Sequence, residues 1–222
     1  MELTLDKKHE NRVEFVVDGM STGFANAIRR YAMNRVPVLA MDAVTFYDNT
    51  TSMWDEYIAH RLGLMPVFTP EDFPKGSEVV FSVDETGPKV VYSKDFKSSD
   101  KEVKIAQDDI VVVTLGPGQH VRLEAKARLG TGNEHAKYQA GLVSYGVEQG
   151  KLRMIVESFY HMPPSRILLK SCEEIESDIS VILEALGEKP AKKAKKEKKE
   201  KKEPVKKKAP AKKEKAKKEE KE

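Results

Sequence analysis

The sequence predicts an α+β fold in which helix-and-strand segments from the two ends of the chain bracket a β-rich insertion, with a disordered lysine-rich tail after them. Three observations carry this expectation. Near the start, Phe24, Ala27, Ile28, Tyr31 and Ala32 recur at the spacing of one helical face. Residues 67–140 instead alternate apolar and polar positions between turns that contain glycine. From Lys189 to Glu222 there are 18 Lys and 7 Glu with only Ala, Pro and one Val among them, a net charge of +11.

Leu3/Leu5 and Val13/Phe15/Val17 alternate with polar residues, which predicts strands over Leu3–Lys7 and Arg12–Val17 joined by a hairpin through Lys8–Asn11. Ser21 or Thr22 then caps a helix running to Val36, and Pro37 marks its end because the residue before proline resists helical geometry. Pro37–Tyr47 reads as a strand and Asp48-Asn49-Thr50 as a turn. A second helix, Met53–Leu62, takes Ser52 as its N-cap and Asp55 as the capping-box acid, turns Trp54, Tyr57, Ile58 and Leu62 inward, and stops at Gly63.

Within the insertion, Val79/Phe81/Val83 and Val90/Tyr92 flank Asp84-Glu85-Thr86-Gly87, while Ile110–Leu115 and Val121–Ala127 flank Gly116-Pro117-Gly118. Each pair reads as a hairpin, and Leu142–Gly146 with Leu152–Ser158 around Glu148-Gln149-Gly150 reads as a third. From Pro164 onward, Leu168, Cys172, Ile175, Ile179, Ile182 and Leu186 recur at steps of 4, 3, 4, 3 and 4, a heptad stripe. An ordinary core helix shows the same spacing. The body offers only one other long helix to cover it, Thr22–Val36, which favours a partner.

Charge is divided unevenly. Residues 1–188 hold 21 basic and 29 acidic side chains, a net of −8, so the cationic tail sits on an acidic body. The tail buries nothing that would offset its chain entropy, and it suits either a polyanion such as DNA, bound without sequence preference, or simple solubilisation. No apolar run approaches the ~20 residues of a membrane span, and MELTLDKKHE has no signal-peptide core, so a soluble cytoplasmic protein is expected. Cys172 is the single cysteine, which excludes an intrachain disulfide and leaves no cofactor, zinc site or iron–sulfur cluster that cysteines of this chain alone would hold.

Catalytic constellations are sparse. Glu56 and His60 share a helix face at i, i+4 but lack a third metal ligand nearby, and Gly130-Thr-Gly132-Asn-Glu-His135 lacks the third glycine and the β-α-β frame of a dinucleotide site. Cys172, with His161 or His135 as a base, lies on an apolar helical stripe where thiols pack rather than react.

One stretch is specific. FANAIRRYAMNRVPVLAMDAVTFYDNTTSMWDEYIAHRLGLMP, from Phe24 to Pro66, resembles the signature of the alpha-like RNA polymerase subunits, with Asn26, Arg29-Arg30, Val36-Pro37, Asp55-Glu56 and Ala59-His60-Arg61-Leu62-Gly63 in order. Gly130–Tyr138 and Val156-Glu157-Ser158 agree with the same family, and the archaeal D branch fits best because no second DNA-binding domain follows the core.

The resemblance implies a dimerisation domain from 1–48 and 141–188, an insertion domain over 49–140, and the tail 189–222 outside both. It also implies a non-catalytic scaffold within a nucleotidyltransferase. Phe24, Ile28, Tyr31, Leu168, Cys172, Ile175, Ile179, Ile182 and Leu186 would face a small L-type partner. Arg29, Arg30, Asp55, Glu56, His60 and Arg61 would meet the second-largest and largest subunits. Many archaeal relatives carry a cysteine-rich, cluster-binding insert; the 63 residues between Pro66 and Gly130 contain no cysteine, so neither cluster nor redox role is expected. The rival reading is a stand-alone nucleic-acid-binding protein that works through its tail.

Overall fold

A computed structural model describes residues 2–187; the lysine-rich segment 189–222, expected to be disordered, lies outside the described residues. In chain order the first elements are β1 (Glu2–Lys8), β2 (Arg12–Asp18), α1 (Thr22–Asn34), β3 (Val38–Asn49), α2 (Asp55–Gly63), β4 (Glu78–Thr86) and β5 (Lys89–Tyr92). There follow β6 (Lys97–Ser98), β7 (Val111–Leu115), β8 (His120–Gly130), β9 (Gly141–Glu148), β10 (Lys151–Ser158) and α3 (Pro164–Ala185). Residues up to Ile179 form one compact unit; from Ser180 the chain counts as a second, of which only the end of α3 and its following turn are described.

The chain ends build one antiparallel sheet in the order β1-β2-β10-β9. Both of its hairpins fall where the sequence marks them. In the β9–β10 turn, Gln149 and Gly150 have φ of 51° and 79°, the left-handed pair whose twist suits a two-residue hairpin loop. Phe15, Val17, Met154, Val156 and Val143 point from this sheet into a core closed by Ile28 and Ala32 of α1 and Ile167 of α3.

β3 belongs to two cores at once. Val38 and Ala40 join that first cluster, whereas the alternate residues Leu39 and Met41 join Ile58, Leu62, Phe81 and Leu123 on the opposite side. A strand covered on both faces tolerates no slip, since one residue of register shift would exchange the two sets.

The second sheet has the order β3-β8-β4-β6, and β5 pairs separately with β7. This corrects two expected hairpins. β4 lies against β8 rather than β5, and β7 lies against β5 rather than β8. The turns themselves are real, and they interlock: the Gly87 amide donates to the Gln119 carbonyl (2.8 Å), and the Gly116 amide to Gln119 Oε1 (2.6 Å). A Cβ on Gly87 would meet the Gly116 carbonyl oxygen at 2.2 Å, so this crossing needs glycine. Turn residues report where a chain changes direction, not which strand it then joins.

The helices follow their caps. Ser21 Oγ accepts the Phe24 amide at 3.2 Å, and α1 ends at Asn34, two residues short of the expected Val36. α2 begins later than expected, at Asp55 with Trp54 as its N-cap residue, and Ser52 takes no part. The carboxylate of Asp55 is occupied elsewhere, accepting from Asn49 Nδ2 at 2.6 Å. Nor do Trp54 and Tyr57 turn inward: they are 72% and 63% exposed, because a helix this short presents a narrow inner stripe that Ile58 and Leu62 already fill. Among the described residues no helix is long and apolar enough to cross a membrane.

Candidate subunit-docking surfaces

The heptad stripe of α3 is set beside the face that the helix buries in its own chain. Pro164, Ile167 and Ser171 are the buried positions. Leu168 and Ile175, on the stripe, are half-buried against the first core, while Cys172, Ile179, Ile182 and Leu186 are exposed. Ile179 is 51% and Leu186 72% exposed, a succession of apolar side chains left open to solvent. Leu3 and Leu5 add to this: their register opposite Val17 and Phe15 puts them on the core-facing side of the sheet, yet both stay more than half exposed.

On α1 the expected face divides. Ile28 is a core residue of this chain, 6% exposed beside Ala25 and Ala32, and the geometry removes it from any outward surface. Phe24 remains exposed. Tyr31 is pinned to α3: its hydroxyl donates to Asp178 Oδ2 at 2.8 Å, and Arg35 reaches the same carboxylate at 2.9 and 3.1 Å. Those donors hold the Asp178 carboxyl below its usual range, Tyr31 foremost. Sequence spacing gave no sign of this link, since its members are 143 or more residues apart.

The polar set on α1 and α2 is only partly free. Arg29 Nε donates to Asn26 Oδ1 (3.1 Å), whereas Arg30 is exposed and lines a cleft with Ala27, Asn34 and Asp178. Arg61 donates from its guanidinium to the Val111 carbonyl of its own chain, tying α2 to β7, so part of its role is internal. Glu56 and His60 are exposed. Among the described residues no group of three or more His, Cys, Asp or Glu side chains is placed to hold a metal.

The segment Gly130–Tyr138 explains itself structurally, and its main partners were missed at the level of sequence. A Cβ on Gly132 would meet the Met33 carbonyl at 2.2 Å, and the Asn133 amide donates to the Asn34 carbonyl at 3.1 Å, so this turn clasps the end of α1. Lys137 Nζ and Arg128 Nε both donate to Asp42, at 2.6 and 2.8 Å, and Arg128 also reaches Glu134 at 3.0 Å. The Lys137 bond first, then the Arg128 bond, hold Asp42 far below the usual carboxylate range. Arg128 and Lys137 each lie 5.1 Å from the centre of the Tyr138 ring, whose hydroxyl burial pushes well above its ordinary pKa. Asp42 sits 86 residues from Arg128 and 95 from Lys137; only a β3–β8 pairing brings them together.

Two cores share the residues of β3, and α3 leaves an apolar stripe exposed. Over residues 44–147 the chain matches the model of the RNA polymerase Rpb3/RpoA insert domain. It is 42% identical over 146 residues to DNA-directed RNA polymerase subunit Rpo3 of Pyrococcus horikoshii, covering 63% of this chain and 56% of that protein. The Rpo3 of Pyrococcus furiosus is 41% identical over 152 residues (65% and 58%), and that of Natronomonas pharaonis 40% over 141 residues (64% and 57%). The chain therefore spans less than two thirds of the length of these curated relatives.

Proposed function

We propose that this chain is a non-catalytic assembly subunit of a DNA-directed RNA polymerase, acting in the cytoplasm. It pairs with a small alpha-like subunit of the L type through Phe24 and the α3 stripe, and the pair docks the second-largest and largest subunits through the exposed side chains of α1 and α2. The observation that carries this reading is the open stripe: Ile179, Ile182 and Leu186 are each more than half exposed at heptad spacing, a pattern that a single chain gains nothing by displaying. The similarity to DNA-directed RNA polymerase subunit Rpo3 supports a partner within a polymerase. Division into a dimerisation domain (1–48 with 141–188) and an insertion domain (49–140) goes with this proposal.

Co-expression tests it. Alone, the chain should self-associate or precipitate at micromolar concentration; with the small subunit it should elute as a 1:1 complex. A well-behaved monomer that shows no affinity for the small subunit would overturn the pairing. The rival reading, nucleic-acid binding through the tail, is favoured only by the +11 charge of residues 189–222.

A further inference from the structure

His161 is buried, 4% exposed, on the segment that joins β10 to α3. Its ring lies against the chain that leaves α2 for β4. Nδ1 is 3.0 Å from the Val67 carbonyl, which can only accept, so this nitrogen carries the proton and donates it. Backbone bonds run alongside. The Thr69 amide donates to the His161 carbonyl (2.9 Å), and the Leu39 amide of β3 donates to Thr69 Oγ1 (3.0 Å). Arg166, in the first turn of α3, holds the far end, giving one N–H to the Thr69 carbonyl (2.9 Å) and another to the Pro70 carbonyl (2.8 Å).

The strap Val67–Pro70 thereby sits at the seam of the two cores. Val67 and Leu39 belong to the cluster around Ile58 and Phe81, whereas Met162 and Ile167, which flank the Pro163-Pro164 entry to α3, belong with Phe15 and Met154. The strap is also tied to the insertion: the Phe68 amide donates to the Lys104 carbonyl and the Ala106 amide to the Pro66 carbonyl, both at 2.8 Å.

This setting suits a neutral ring. The charged side chains on the surrounding elements are Arg166 on α3, Glu71 beside the strap, Asp42 on β3, and Lys104 and Glu10, which line a cleft with Met162 and Pro163. Asp42 is committed to Lys137 and Arg128, and Glu71, 79% exposed, lies 3.8 Å from Arg166 Nε. Among the described residues no ion pair reaches the imidazole, whose hydrogen-bond partner is a carbonyl. Burial pushes its pKa down, against the opposing pull of the Val67 and Leu39 carbonyls.

We infer that His161 is a proton-operated latch: its neutral ring holds the Val67–Pro70 strap at the seam of the two cores, and protonation drives the ring out and opens the strap about its Arg166 anchor. An imidazolium finds no carboxylate here, and a buried unpaired charge is better hydrated outside. The latch is fully closed above about pH 6.5, the ordinary imidazole value, and its hold is lost as pH falls below that towards the lowered folded value. His120, whose pKa is raised, responds in the opposite sense. The latch lies within the described chain and does not depend on the polymerase reading.

Hydrogen exchange of the full-length chain, read by mass spectrometry and corrected for intrinsic rates, tests it. A released imidazole takes up its proton between about pH 7.5 and about pH 5.5, so local opening should become several-fold more frequent over that interval, up to about tenfold. The lost protection should be confined to peptides covering 64–72 and 158–165. His161→Asn keeps an N–H near the position of Nδ1 but does not titrate, and its protection should be the same at both pH values. Wild-type protection that does not change, a loss spread over the whole chain, or a change that persists in His161→Asn overturns the latch. Deuterium uptake at the imidazole C2 carbon of the wild-type chain gives the ring's own titration whether or not the variant folds. A midpoint below the ordinary value is expected, and one at or above it overturns the proposal.

Discussion

Gly132 has no room for a side chain. A methyl group there would sit 2.2 Å from the Met33 carbonyl oxygen and 3.1 Å from Asn34 Cα, both backbone, so nothing flexible can give way. Gly132→Ala must push the turn from the end of α1. Overpacking of this kind costs about 1–3 kcal/mol, and parting the adjacent Asn133–Asn34 hydrogen bond adds about 0.5–1.5 kcal/mol. A total of about 2–4 kcal/mol corresponds to a fall in Tm of about 4–16 °C for a domain of this size. Thermal unfolding followed by far-UV circular dichroism measures it, with Gly146→Ala as control, because a Cβ there meets nothing within 4 Å. The control should move Tm by no more than a few degrees. If Gly132→Ala unfolds with the wild type, the turn does not clasp α1, and the structural account of the Gly130–Tyr138 segment fails.

Other expectations follow from single contacts. His120 Nδ1 lies 2.9 Å from Asp48 and Nε2 2.8 Å from Asp84, with Arg122 3.7 Å from Asp84, and a neutral imidazole has a proton for only one of the two carboxylates. Asp48, then Asp84, raise its pKa above the usual value, so its contribution to stability is full below about pH 6.5 and fades as pH climbs through the raised folded value. Urea midpoints of wild type and His120→Gln measured across that range should converge at high pH; a constant gap would contradict the bridging. Ile179→Asp, at an exposed stripe position, should leave the far-UV circular dichroism of the chain unchanged yet abolish pairing with the small subunit, as size-exclusion chromatography with light scattering would show. Deleting 189–222 should leave assembly intact and flatten the salt dependence of any DNA binding by about 0.9 per lost lysine–phosphate contact; equal slopes would assign the tail to solubility.

What the sequence made legible is what is local. The hairpins at Lys8–Asn11 and Gln149-Gly150, the Ser21 cap of α1 and the start of α3 at Pro164 each depend on residues within a turn of one another, and all stand where expected. The exchange of partners among β4, β5, β7 and β8 was hidden because two adjacent turns interlock, and no local residue encodes that. Trp54 and Tyr57 deceived by their hydrophobicity: large aromatics normally face inward, and here the inner stripe was full. Gly130–Tyr138 was recognisable as a family stretch, but its reason became visible only with Asp42 and Met33 beside it.

We propose that this chain works inside a polymerase. A tagged full-length chain recovered from its native cells at moderate salt, with the co-purifying proteins identified by mass spectrometry, tests that claim directly. The two large polymerase subunits and a small alpha-like subunit should be recovered in near-equal amounts with the chain, and should persist after nuclease treatment. Recovery of the chain alone, or of nucleic acid with no large polymerase subunit, would contradict it.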